Sequence, residues 1–294
     1  MSAARIRSRS RWLAALSVLA GLLLLLTAAV WFLNVRGEVD VRGTLPVPAG
    51  AADQTLVERG AYLARAGNCA GCHTARGGES YAGGLGIATP FGTVYTSNLT
   101  PDKATGIGDW SPAHFWRAMH NGRSRDGRLL YPAFPYTSYT KVTREDSDAI
   151  YAFLQSRPAV AQPNREHGVG FPYNTQAALA VWRALYFRPG TFESEGARNA
   201  EWNRGAYLVQ GLGHCSACHS ARNALGATSG GLDLAGGLIP MQNWYAPSLA
   251  SADEAGVGHW SREEIASLLK TGISPRASVT GPMAEVVLRS TQYL

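Results

Sequence analysis

The first strong pattern along the chain is an uncharged run from Trp12 to Leu33, with five consecutive leucines, Leu22–Leu26, at its centre. At about 1.5 Å per helical residue, such a run crosses a hydrocarbon core of roughly 30 Å, so residues 12–33 are predicted to form a transmembrane helix. No polar face interrupts it, which argues against a helix buried in a soluble domain. Arg5, Arg7, Arg9 and Arg11 precede the run. Basic residues stay on the cytoplasmic side, so the N-terminus is expected inside the cell and everything after Asn34 outside. The alternative is a cleaved secretory signal, since Thr27-Ala28-Ala29 offers small residues, although the run exceeds the usual apolar region of about 7–15 residues. Either reading delivers the rest of the chain to an oxidising compartment.

Beyond residue 50 the pattern becomes helix-length mixed segments, and it occurs twice. Arg59-Gly60-Ala61-Tyr62-Leu63 answers Arg204-Gly205-Ala206-Tyr207-Leu208, and Ala82-Gly83-Gly84 answers Ala235-Gly236-Gly237. Trp110-Ser111 pairs with Trp260-Ser261, and Asn121-Gly122 with Thr271-Gly272. A repeat at so steady an offset implies two homologous domains. Each copy reads as a lead-in helix, a Gly-rich loop region, a helix opening at a Ser cap and a further loop. Ser111-Pro112 and Ser261 to Glu264 suit the caps, the second as a capping box. Residues Asp146 to Leu154 form a closing helix in the first copy. Four prolines between Arg157 and Tyr173 mark a linker, and Asn174 to Phe187 a bridging helix ended by Arg188-Pro189-Gly190. The expected domains are therefore 53–157 and 200–294, joined by 158–199. Trp110, Phe115, Trp116, Trp244 and Trp260 are expected in the cores.

Composition changes this picture little. The 294 residues are 46% apolar, and the net charge of +6 owes much to the N-terminal arginines. No later basic run interleaves with aromatics, which excludes a nucleic-acid partner as the reading. There is no nucleotide-binding glycine fingerprint, no zinc-ligand spacing and no nucleophile with an evident base.

The chemistry lies in the cysteines. All four fall in two C-x-x-C-H motifs, Cys69-Ala70-Gly71-Cys72-His73 and Cys215-Ser216-Ala217-Cys218-His219. In this pattern two thiols add across the vinyl groups of a haem while the adjacent His reaches the iron. A thioredoxin-like pair needs a βαβ setting that is absent, and a zinc site needs further thiols or paired histidines. Structural disulfides are the remaining rival. Two motifs inside matching flanks favour two covalently bound haem c groups, with His73 and His219 as proximal iron ligands. The haem then supplies core that such short, mainly α domains otherwise lack.

From about Glu58 to the end, the chain resembles the multihaem cytochrome c subunits of bacterial membrane-bound periplasmic dehydrogenases, the group serving alcohol, gluconate, aldehyde and nicotinate-type enzymes. The resemblance is carried by R-G-A-Y-L-A-R-A-G-N-C-A-G-C-H, G-I-G-D-W-S, D-G-R-L-L-Y-P-A-F-P-Y, A-R-N-A-E-W-N-R-G-A-Y-L and G-P-M-A-E-V-V-L-R-S-T-Q-Y-L. It implies an inner-membrane protein with periplasmic haem domains. It also implies a conduit carrying electrons from a catalytic dehydrogenase subunit to quinone or a terminal oxidase, without catalysis of its own. The partner is a quinoprotein, a flavoprotein or a molybdenum hydroxylase, and the Y-P-A-F-P-Y form is most similar to the molybdenum nicotinate-type branch. Many members of this group have three haem motifs where this chain has two. Relative to the first repeat, the second also stops short of its closing helix, so the expectation is a second domain that is truncated here.

The same resemblance places Met283, in Gly281-Pro282-Met283, as the distal ligand of the second haem. A thioether there raises the iron's potential and closes it to other ligands. Met241 is the alternative. At the matching position the first copy has Phe134, which has no lone pair, so its iron takes another ligand or none. Met119, His120 and His114 are candidates. Met119 and His120 align with Leu269 and Lys270, one core-like and one solvent-like, which favours packing for Met119 and exposure for His120. Arg76 and Arg222 follow the motifs identically and suit either haem propionates or solvent. An open first iron keeps a second function class alive, a dihaem peroxidase or a gas-binding haem protein.

Overall fold

The uncharged run forms the C-terminal two-thirds of a long helix, α1 (Ala3–Val35), and its stretch Arg11–Val35 is long and apolar enough to cross a membrane. The structure is a computed structural model and describes residues 3–47, 53–228, 233–254 and 256–294. The side chains of residues 3–10, including Arg5, Arg7 and Arg9, lie outside that description.

Asp53 opens α2 (Gln54–Ala66) by accepting from the amide of Thr55, and after Gly67 the first cysteine motif forms the short helix α3 (Cys69–His73). The predicted Gly-rich loop region contains a hairpin, β1 (Gly86–Thr89) and β2 (Gly92–Tyr95), paired antiparallel with Gly86 opposite Tyr95. Helix α4 (Pro112–Asn121) starts at the predicted Ser111 cap, where a full capping box is closed by His114. The one-turn α5 (Tyr136–Tyr139) and then α6 (Arg144–Gln155) follow. The closing helix is thus longer than Asp146–Leu154, because Thr143 caps it through the amide of Asp146.

Helices α2 and α6 cross closely enough that a Cβ on Gly60 would lie 1.9 Å from the carbonyl oxygen of Ala149, so only glycine fits there. Around that crossing, Leu63, Phe115, Val142, Ile150 and Leu154 form the core.

The segment from Arg157 to Tyr173 is more than a linker. It lies back along the first copy, where β3 (Gly168–Val169) adds to β2. Asn98 Nδ2 donates to the carbonyl of Val160 at 2.8 Å, and the amide of Tyr95 donates to His167 Nδ1 at 3.1 Å. Its prolines suit an extended strap because they set φ and need no partner for an N–H. The bridging helix is α7 (Gln176–Tyr186), capped by Thr175, and it receives the end of α1. Buried Asn34 donates to the carbonyl of Ala180 at 2.9 Å and accepts from Arg183 Nε at 3.0 Å.

After α7 the element order repeats: α8 (Ala200–Gln210), α9 (Ser216–His219), the hairpin β4 (Gly237–Ile239) and β5 (Trp244–Ala246), then α10 (Arg262–Thr271) with its Ser261–Glu264 capping box. The hydrogen bonds repeat with it. Gly83 N donates to the His73 carbonyl at 2.8 Å and Gly236 N to that of His219 at 2.9 Å. Leu130 N to Gly122 O and Val279 N to Gly272 O, each 2.9 Å, close the same turn after α4 and α10.

The copies differ at the end. Residues 130–135 stay open in the first, where Pro132 and Pro135 deny the backbone two donors. In the second, the expected ligand loop is instead α11 (Gly281–Arg289), with Pro282 in its first turn and good helix formers after it. The last element is a 3-10 turn at Thr291–Tyr293.

The aromatic expectations hold in part. Phe115 and Trp116 are buried, Trp110 and Trp260 are half-buried, and Trp244 is 44% exposed. The two copies share packing: Leu212, which follows α8, is fully buried in the core of the first copy beside Leu63 and Leu154.

Candidate haem-binding site

Each cysteine motif is entered through a residue in left-handed backbone, Asn68 at φ 48° and His214 at φ 36°. That bend turns the chain from the lead-in helix into the motif. A single turn then presents the thiols of Cys69 and Cys72, or Cys215 and Cys218, with the following imidazole beside them.

Burial pushes the Cys69 thiol up to about 12 and the Cys215 thiol to about 11, and raises that of Cys218. A thioredoxin-like pair needs the opposite shift, towards thiolate, so that rival finds no support here. The cysteines are free of disulfides, and among the described residues no group of three or more His, Cys, Asp or Glu could hold a metal ion.

Both histidines are oriented in the same way. His73 Nδ1 lies 2.7 Å from the carbonyl oxygen of Ser97, and His219 Nδ1 lies 2.8 Å from that of Pro247. A carbonyl only accepts, so Nδ1 carries the proton and Nε2 keeps a bare lone pair for a metal. Ser97 is brought there by Gly83, at φ 75°, where a Cβ would come within 2.4 Å of the Ser97 carbonyl carbon.

Cys69, Cys72 and His73 border a cavity of about 1410 Å3, with Trp110, Phe115, Ile150 and Leu154 among its apolar walls. Two thiols, an oriented imidazole and an apolar cavity fit haem c: the cysteines would hold it covalently and His73 would ligate its iron. Cys218 and Arg222 border the same cavity. Cys72 and Cys218 are close enough that charge on Cys218, after burial, raises the Cys72 thiol. Both motifs therefore contribute a cysteine to the one cavity.

The distal candidates are separated by the fold. Phe134 and Met119 both line the cavity. Met119 is buried as expected, and Ser147 Oγ donates to its sulfur at 3.9 Å. His120 is half-buried, in contrast to the solvent position expected. Its ring stacks on Trp116 at 4.5 Å, and its Nδ1 lies 3.0 Å from the carbonyl of Thr140. His114 Nδ1 sits 2.8 Å from Ser111 Oγ in the capping box. Met241 is 65% exposed, and Met283 is half-buried in the first turn of α11, outside the cavity lining. Arg222 donates to the carbonyls of Gly226 and Ala217, while Arg76 is exposed.

Sequence reasoning missed His214. Its ring meets that of Tyr139 edge-on at 5.6 Å on the cavity wall, and burial lowers its pKa. The available signal was its position one residue before the second motif, matching Asn68 before the first.

Residues 57–158 match the family described as cytochrome c. A diheme cytochrome c-type protein of Cereibacter sphaeroides is 36% identical over 279 residues, which cover 91% of this chain and 92% of that protein. The chain belongs to the cytochrome c family. This cytochrome is also 45% identical over 270 residues to a nicotinate dehydrogenase subunit of Pseudomonas putida, a match covering 91% of the chain but 22% of that protein. It is 43% identical over 259 residues to the cytochrome c subunit of the quinone alcohol dehydrogenase of Gluconacetobacter polyoxogenes, covering 85% of the chain and 55% of that subunit. The chain thus spans about a fifth of the one and about half of the other.

Proposed function

We propose that this cytochrome is a membrane-anchored electron-transfer subunit with two tandem haem c domains, passing electrons from a partner dehydrogenase to quinone or a terminal oxidase. The observation that carries the reading is the pair of C-x-x-C-H turns whose histidines both donate Nδ1–H to a backbone carbonyl and whose Cys72 and Cys218 border one cavity. Cys69 and Cys72 hold the first haem and His73 ligates it, while Cys215, Cys218 and His219 do the same for the second. Met283 is the second iron's distal ligand. Haem c bound at these positions supplies one-electron chemistry at a potential set by its axial ligands.

The residues keep that chemistry to electron transfer. The carbonyls of Ser97 and Pro247 fix each imidazole's tautomer and orientation. The relatives named as dehydrogenase subunits support a catalytic partner, and the resemblance of Y-P-A-F-P-Y to the nicotinate-type branch favours a molybdenum hydroxylase. Helix α1 supports the anchor. The basic residues before it put the N-terminus in the cytoplasm and the haem domains in the periplasm. The contact of Asn34 with α7 supports a retained helix over a cleaved signal.

The test is purification from native membranes with mild detergent, followed by a haem count and identification of the copurifying subunit. Two haems per chain, a copurifying dehydrogenase and reduction of the haems by that enzyme's substrate are the expected results. Haems that stay oxidised in the intact complex while substrate turns over would sink the reading.

A further inference from the structure

We infer that the iron held at Cys69, Cys72 and His73 is open on the side of Phe134 and binds small neutral diatomic ligands such as carbon monoxide or nitric oxide. This rests on the two-haem reading above. Phe134 stands where the second copy has Met283, and its side chain lines the same cavity as His73. The loop that carries it is built: Phe134 N donates to the Tyr131 carbonyl at 3.0 Å and Tyr136 N to that of Phe134 at 2.7 Å. The ring packs 5.3 Å from that of Tyr139. The scaffold of a ligand loop is therefore present, with an aromatic ring in place of a sulfur donor.

The other donors are committed elsewhere, His214 on the cavity wall included, since its ring meets Tyr139 edge-on and is hydrogen-bonded to the Gly67 backbone. His114 closes the cap of α4 through Ser111, and His120 is stacked on Trp116 and bound to Thr140; neither lines the cavity. Met119 does line it, but it lies one turn after Phe115 on the core face of α4, with Ser147 donating to its sulfur. The equivalent position in the second copy is Leu269, which makes this a packing position. His167 Nδ1 accepts from the amide of Tyr95.

The surroundings select the ligand class. The Tyr139 hydroxyl donates to the Gly67 carbonyl at 3.2 Å, so it has no proton to offer a bound oxygen or peroxide. Phe134, Leu99 and Ile150 give the cavity apolar wall that suits an uncharged diatomic; Lys103, Arg125 and Arg165 also line it, so a parallel cyanide titration separates neutral from anionic ligands.

The test uses the full-length protein from native membranes, with carbon monoxide as the probe. Haem is counted first. The reduced protein is then titrated with carbon monoxide, and the oxidised protein is examined by low-temperature EPR. The expected result is one carbon monoxide per two haems and one high-spin ferric signal. F134M should lose the uptake and convert that signal to a low-spin, methionine-ligated one, while F134L, of similar bulk but without a donor, should keep the uptake. Two haems with two low-spin signals and no uptake overturn the inference and leave the two-haem reading standing. A haem count below two overturns both.

Discussion

The hydroxyl of Tyr207 donates to the buried carboxylate of Asp146 at 2.7 Å, tying the lead-in helix of the second copy to the closing helix of the first. Arg59 Nε also donates to that carboxylate, at 3.1 Å, and Arg204 approaches it at 3.8 Å. Arg59 and Arg204 are equivalent positions of the repeat, so one acidic side chain gathers both copies.

Removing that carboxylate should loosen the pair of copies. D146A is expected to cost about 2–3 kcal/mol and Y207F about 1.5–3 kcal/mol, the usual range for losing a hydrogen bond that involves a charged group. Both arginines are roughly half exposed, and solvent screens their share. Urea unfolding followed by haem absorbance measures this; equal stability of D146A and wild type would remove the gathering role.

Leu212 belongs to the second copy by sequence but is fully buried in the first core. L212A should therefore destabilise the first haem domain by about 2–4 kcal/mol. If the unfolding transition of the first haem is unmoved, the copies pack independently.

Alkali should unfold the protein through its buried tyrosines. Burial pushes Tyr81 and Tyr136 up to about 12, against about 10 in an unfolded chain. The folded state holds these protons longer, so stability is fully present below pH ~10 and is lost as pH rises towards 12. For fully buried Tyr136 the loss is on the order of 2–3 kcal/mol. Its buried hydroxyl has only the Arg183 guanidinium nearby, without good hydrogen-bond geometry, so Y136F should match wild type at pH 7 and be flatter between pH 10 and 12 in thermal melts.

M283L tests the second iron. Loss of a thioether ligand should lower the potential of one haem and leave the other unchanged, which a spectroelectrochemical titration reads directly. Two unchanged potentials would remove Met283 from the ligand set.

Much of the site was legible because it is local. The thiols and the imidazole of each motif lie within five residues, so one turn brings them together whatever surrounds it. The same holds for the caps at Ser111 and Ser261, which act on amides three residues away. The acceptors for His73 and His219 were not legible. Ser97 and Pro247 are carbonyls 24 and 28 residues downstream, and a carbonyl leaves no mark in side-chain chemistry. The strap at 158–173 read as a linker because its prolines report only an extended chain, whereas its partners, Asn98 and Tyr95, lie some 60 to 70 residues away.

By itself the sequence determined the apolar span, the repeated motifs, the Ser111 and Ser261 helix caps and the grouping of two thiols with an imidazole in each C-x-x-C-H turn, all of which follow from neighbours within a few turns. The tertiary structure decided what depends on distant parts of the chain meeting. It brought Cys72 and Cys218 to one cavity, set His214 against Tyr139 and brought Arg59 and Arg204 onto Asp146. It also made a helix around Met283 while Pro132 and Pro135 kept the Phe134 loop open. Such contacts depend on how two copies pack on one shared core, and that packing is set by the shapes of buried side chains far apart in the chain.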